Sequence, residues 1–161
     1  MNLKYYYYYF HSVLSPRLCD NIIEHCSKKL QTAKVGGKSD DNDPDKWWVE
    51  GKTIERKRKS EVSFFDDRWI YKEIQPYVKM ANEYAGWNFD WDWTEQAQFT
   101  KYGLNEHYGW HCDSYSEPYR DVPDGMVGKI RKLSVTVSLS DPENYDGGDL
   151  EFDFRNNQDY E

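Results

Sequence analysis

The sequence predicts an α+β fold with helices first and sheet second. Apolar residues recur at helical spacing twice in the first half, the period drops to two from Trp87 onward, and Asp141-Pro142 and Gly147-Gly148 punctuate the second half as turns. A chain of 161 residues suits one domain, residues 1–161, built on one core. Only 38% of the residues are apolar while aromatics reach 17%, so the core must lean on seven Trp, fourteen Tyr and seven Phe.

The first helix is predicted over residues 16–30. Ser15 can cap it, Pro16 suits its first position, and Leu18, Ile22, Cys26 and Leu30 share one face. Residues 31–60 read as a long loop or insertion, from Gly36-Gly37 and an acidic run over 40–45 that contains Pro44. That run lacks the glycine and closing glutamate of a calcium loop and reads as a solvated face. A second helix starts at Asp66 or Asp67, presents Ile70, Ile74, Tyr77, Val78 and Ala81 on one side, and ends near Gly86. Pro76 lies inside this pattern and predicts a kink or a split, because proline supplies no amide hydrogen.

From Trp87 the chain reads as β. Trp87, Phe89, Trp91 and Trp93 alternate with Asn88, Asp90 and Asp92, which predicts a strand whose aromatic face is core rather than a stacking platform for sugars or bases. Short strands follow over 96–102 and 107–113, then a loop over 114–128. Leu133, Val135, Val137 and Leu139 alternate with Lys132, Ser134, Thr136 and Ser138 in the cleanest strand pattern of the chain. A last strand pairs Leu150, Phe152 and Phe154 with Asp149, Glu151 and Asp153.

Charge and composition exclude some partners. A net charge of −8 and a pI near 5.0 leave no basic face for a phosphate backbone, so no nucleic-acid partner is expected. No stretch approaches the roughly 20 apolar residues of a membrane helix, and the opening ten residues are a tyrosine run rather than a signal segment. The expectation is a soluble, cytoplasmic protein without a membrane partner. Three cysteines lack any C-x-x-C spacing and read as buried thiols.

The chemistry-bearing pair is His111 and Asp113. Two residues apart in a strand, they leave the same face, and an imidazole with a carboxylate fits two positions of a facial iron triad. His107 shares that parity but is the lesser candidate. The bare H-x-D pattern is weak, and its surroundings give it weight. The blocks YFHSVLSPRLCDNIIEHC (9–26), RKSEVSFFDDRWIYKEI (58–74), FTKYGLNEHYGWHCD (99–113) and RKLSVTVSLSDPENYDGGDLEF (131–152) occur in an order that resembles the prolyl 4-hydroxylase-like branch of the 2-oxoglutarate/Fe(II) oxygenases.

That resemblance implies a double-stranded β-helix, or jelly roll, with N-terminal supporting helices. It implies Fe(II) on His111 and Asp113, and 2-oxoglutarate as cosubstrate, with Tyr102 helping to hold it and Tyr108 lining the site. It further implies O2 as oxidant, with ascorbate as an optional addition, and hydroxylation of a C–H bond on a prolyl or other peptidyl residue, or on a small molecule. The chain departs from the family pattern in one respect. Its histidines are His11, His25, His107 and His111, and its bases after Asp113 are Arg120, Lys129, Arg131, Lys132 and Arg155, so the family's second iron-binding histidine and its later base for 2-oxoglutarate have no counterpart. A barrel lacking its C-terminal strands is therefore expected, with an open sheet edge that invites homo-oligomers. The alternative is a catalytically inactive jelly-roll binding module. A purely structural β protein would leave the H-x-D pair and Tyr102 unexplained.

Overall fold

The structure, a computed structural model, describes residues 5–33, 58–114, 117–120, 122 and 125–153. Gly36-Gly37, the acidic run, Phe154 and Arg155 lie outside the described residues.

Helix α1 spans Pro16–Ser27 and begins as its sequence predicts: the Ser15 hydroxyl accepts from the Leu18 amide at 3.3 Å, and Pro16 fills the first turn. It stops before Leu30, and His25 in its last turn faces the negative end of the helix dipole. Helix α2 spans Arg68–Tyr84 with Asp67 at its N-cap. It runs through Pro76 as a single element, so the expected split does not occur, although the Lys72 carbonyl loses its helical donor. Ile70 is buried in the core and Ile74 packs against it, which docks the half of the helix that precedes Pro76. Gly86, at φ +69°, ends it in the left-handed region that glycine occupies without strain.

Five short strands are described, three between α1 and α2 and two after α2, so the expected order of helices first and sheet second is corrected. β1 (Gln31–Thr32), β2 (Arg58–Lys59), β3 (Glu61–Phe65), β4 (Ala97–Lys101) and β5 (His107–Tyr108) form two antiparallel sheets. The first has the order β1-β3-β4, with Gln31 opposite Val62 and Ser63 opposite Phe99. The second pairs β2 with β5, placing Arg58 opposite Tyr108 and Lys59 opposite His107. Both described ends of the predicted 31–60 loop are thus strands. Strand β4 lies within the predicted 96–102.

The core gathers Ile22 and Cys26 of α1, Ile70 of α2 and Phe99 of β4, with Leu18, Ile23, Leu30, Phe65, Ile74 and Leu139 around them. Ile22 and Ile70 are 2% and 1% exposed, and burying such a side chain is worth about 1.5–3 kcal/mol. The Ser63 hydroxyl donates to the Cys26 carbonyl at 2.7 Å and so ties β3 to the end of α1. Cys26 is buried as expected, whereas Cys112 is exposed.

Three predicted strands carry no ladder among the described residues: 87–93, 132–139 and the described part of 149–154. Alternation records which side of a segment is apolar, but a ladder also needs a partner edge. Residues 87–89 are instead pinned by Asn82, whose amide donates to the Phe89 carbonyl at 2.9 Å and accepts from the Phe89 N–H at 3.0 Å. Trp93 is 48% exposed rather than core, and its indole covers the open face of Gly125. Near the start of the described chain, Tyr7 stacks on Phe152 with ring centres 5.4 Å apart. No helix among the described residues is long and apolar enough to cross a membrane.

Candidate metal centre

β4 and β5 are joined by a tight turn in which Glu106 accepts from the Gly103 amide at 2.7 Å and Asn105 sits at φ 60°. The turn delivers Tyr108 to the end of β5. His111 and Asp113 follow that strand and do not lie in it, which corrects the expected strand over 107–113. Their side chains converge all the same, with His111 Nε2 3.2 Å from Asp113 Oδ1.

The orientation of the imidazole is set locally. His111 Nδ1 stands 2.8 Å from the Gly109 carbonyl, which can only accept, so Nδ1 carries the hydrogen and Nε2 faces the carboxylate. The ring also lies flat on Tyr108, with centroids 3.7 Å apart and planes 15° apart. Two donors bound cis at about 2.1 Å from one ion stand about 3 Å apart, so the His111 and Asp113 pair has the separation that a shared metal needs. Among the described residues no group of three or more His, Cys, Asp or Glu side chains could hold an ion, and His107 does not join the pair.

Two supports behind the pair are not apparent from residue spacing. Arg131 donates from Nε and Nη2 to the two oxygens of Glu95, and from Nη1 to the carbonyl of Asp113. Ser114 returns a bond to the Arg131 carbonyl at 3.0 Å, and Tyr119 donates to Glu95 at 3.3 Å. The hydrogen bonds to Glu95 raise the Arg131 pKa, more than offsetting the opposing effect of burial. Arg131 sits in the R-x-L-S block, but no local signal marks Glu95.

The second support is Arg58. Its Nε donates to Ser60 at 2.9 Å and its Nη2 to Thr100 at 3.3 Å, while its guanidinium carbon lies 4.5 Å from the centre of the Tyr108 ring. One phenol thus touches both the imidazole of His111 and the guanidinium of Arg58. Tyr102 follows β4 and is half exposed. Partial burial raises its phenol pKa, Tyr108 adds to the shift, and the Arg58 charge opposes it. A separate hollow of about 600 Å³ runs along α2 past Tyr71, Gln75 and Trp93, and neither His111 nor Asp113 lines it.

Over 52 residues the chain is 44% identical to a PKHD-type hydroxylase of Shewanella baltica and 40% identical to one of Janthinobacterium sp.; over 54 residues it is 46% identical to one of Nitrosomonas eutropha. This third of the chain resembles the PKHD-type hydroxylases. Each match covers 32% of the chain and 21% or 22% of the relative, so the matched stretch spans about a fifth of the length of these hydroxylases. No family model matches the chain, and no solved structure matches it.

Proposed function

We propose that the chain carries part of the site of an Fe(II)- and 2-oxoglutarate-dependent dioxygenase that hydroxylates a C–H bond. The observation that carries this reading is the 3.2 Å approach of His111 Nε2 to Asp113 Oδ1, with Nδ1 committed to the Gly109 carbonyl. The likeness to PKHD-type hydroxylases supports it independently.

In this reading His111 and Asp113 supply two iron ligands, and the third comes from outside the described residues. When bound, Fe(II) with 2-oxoglutarate and O2 supplies the oxidising power that replaces hydrogen by hydroxyl on the substrate, while 2-oxoglutarate leaves as succinate and CO2. The chain's own residues orient and shield. Gly109 and Tyr108 fix the imidazole from two sides, Arg131 fixes the Asp113 backbone, and the Tyr102 phenol offers a hydrogen bond to the cosubstrate. The two small antiparallel sheets are, in this reading, portions of a jelly roll. A prolyl or other peptidyl residue is the first substrate class, with small molecules second.

One observation favours a second reading, a catalytically inactive binding module: the described residues offer two donors and no third. Anaerobic titration of the chain with Fe(II) and 2-oxoglutarate separates the two. The oxygenase reading expects the weak visible charge-transfer band of the chelate, and expects it to vanish in His111→Ala. No band in the unsubstituted chain favours the module, and a band that survives His111→Ala removes His111 from the site.

A further inference from the structure

Arg58 is only 6% exposed, yet no carboxylate among the described residues pairs with it. The more exposed Arg120 and Arg131 each meet one. A guanidinium has five N–H donors and no acceptor. In Arg58 one goes to Ser60 and one to Thr100, and neither hydrogen of Nη1 has an acceptor among the described residues. The bonds that Ser60 and Thr100 accept leave Nη1 as the free end of the guanidinium among the described residues. A cation withdrawn from solvent this far, and met among the described residues by neutral hydroxyls and a ring, is costly unless an anion completes it.

We propose that Arg58 anchors a carboxylate site, in which Nη1 takes one carboxylate of a ligand lying against the Tyr108 ring. Ser60 and Thr100 hold the guanidinium in place, and its cross-strand partner Tyr108 carries the ligand on to His111. The carboxylate can come from the far end of 2-oxoglutarate or from an acidic group on the substrate. The first source rests on the function proposed above; the site itself does not.

The test uses the metal-free chain and glutarate, which carries the distal carboxylate of 2-oxoglutarate but has no keto group with which to chelate iron. Glutarate is expected to bind saturably, to raise the melting temperature, and to shift the Nε–H resonance of Arg58. Arg58→Met keeps the side-chain volume and removes the unpaired charge. It is expected to melt no lower than the unsubstituted chain and to bind glutarate at least tenfold more weakly, with Arg58→Lys between them. Binding of glutarate but not of N-acetylglutamate amide assigns the site to the cosubstrate, and the reverse assigns it to the substrate. The site is overturned if the unsubstituted chain binds neither glutarate nor N-acetylglutamate amide saturably, if the bound ligand causes no shift at Arg58, or if Arg58→Met binds it equally well. Because no metal is present, that result would leave the charge-transfer experiment standing, and failure of the latter would leave this site standing.

Discussion

Arg131 holds both oxygens of Glu95, at 2.9 and 2.5 Å, and turns its remaining terminal nitrogen onto the carbonyl of Asp113. The pair therefore fixes the backbone of a candidate iron ligand from a segment 18 residues further on. Each side chain is 31% exposed, so water screens part of the attraction. Arg131→Met should destabilise the chain by about 1–3 kcal/mol in urea denaturation. Combined with Glu95→Met it should cost at least about 1 kcal/mol less than the two single changes added, because the second change removes a charge already orphaned by the first. Metal affinity should fall about tenfold or more, as it does when a group supporting a ligand is removed.

The ligand pair itself should behave in the opposite way. His111 and Asp113 lie in an exposed segment after β5, where the His111 ring stacks on Tyr108. Asp113→Ala should leave stability within about 0.5 kcal/mol, and His111→Ala, which gives up the stack on Tyr108, should cost no more than about 1.5 kcal/mol, judged by thermal melting. The same changes should abolish binding of Fe(II), or of Mn(II) as a spectroscopic stand-in. A large loss of stability would mean that the pair is structural.

Tyr71 is a hub between α2 and the sheet. Its hydroxyl lies 3.3 Å from the Phe65 carbonyl and 3.0 Å from that of Glu95, and accepts from the Ala97 amide at 2.7 Å. Tyr71→Phe leaves that amide without its acceptor and should cost about 1–3 kcal/mol. Burial raises the phenol pKa, with Asp66 and Asp67 adding to it and the Ala97 amide opposing. The unfolded chain releases phenolic protons near pH 10 while the folded chain keeps this one, so the unfolded state binds fewer protons there. The stability contributed is therefore complete below about pH 10 and is lost as pH rises through the folded value. Urea midpoints between pH 9 and 11 should fall more gently in Tyr71→Phe than in the unsubstituted chain.

Pro76 sits on the exposed side of a continuous helix. Pro76→Ala would return a donor to the Lys72 carbonyl and should stabilise the chain by about 1–3 kcal/mol. An unchanged or lower melting temperature would show that the proline's rigidity contributes more than the missing hydrogen bond costs.

Both helices were legible because their signals are local. Ser15-Pro16 opens α1, Gly86 closes α2, and the inward stripes are read from a few neighbouring residues. The convergence of His111 and Asp113 was legible from their spacing of two, although a bend after β5 produces it rather than a strand. Alternation over 132–139 marks Leu139 as inward-facing, and Leu139 does pack on the core. It could not show whether another strand lies alongside, since pairing depends on residues far away in the chain. The same limit hid Glu95 and Arg131, which are 36 residues apart, and Arg58 with Thr100, which are 42 apart. A residue's type shows what it can bond, and only the folded chain supplies the partner.

The stacking of Tyr7 on Phe152 bears on the order in which the chain assembles. The helices and the β4–β5 turn close over short distances in sequence, whereas this ring pair closes nearly the whole described chain into one loop. The entropy lost on closing a loop grows with its length, and both rings remain about half exposed, so the contact returns little to offset that loss. It should form late, after the core around Ile22 and Ile70 has brought its two ends together, and it should open first. Amide hydrogens of the tyrosine run would then exchange well before those of α1, and the opening segment would act as a clasp fastened last on an already folded body.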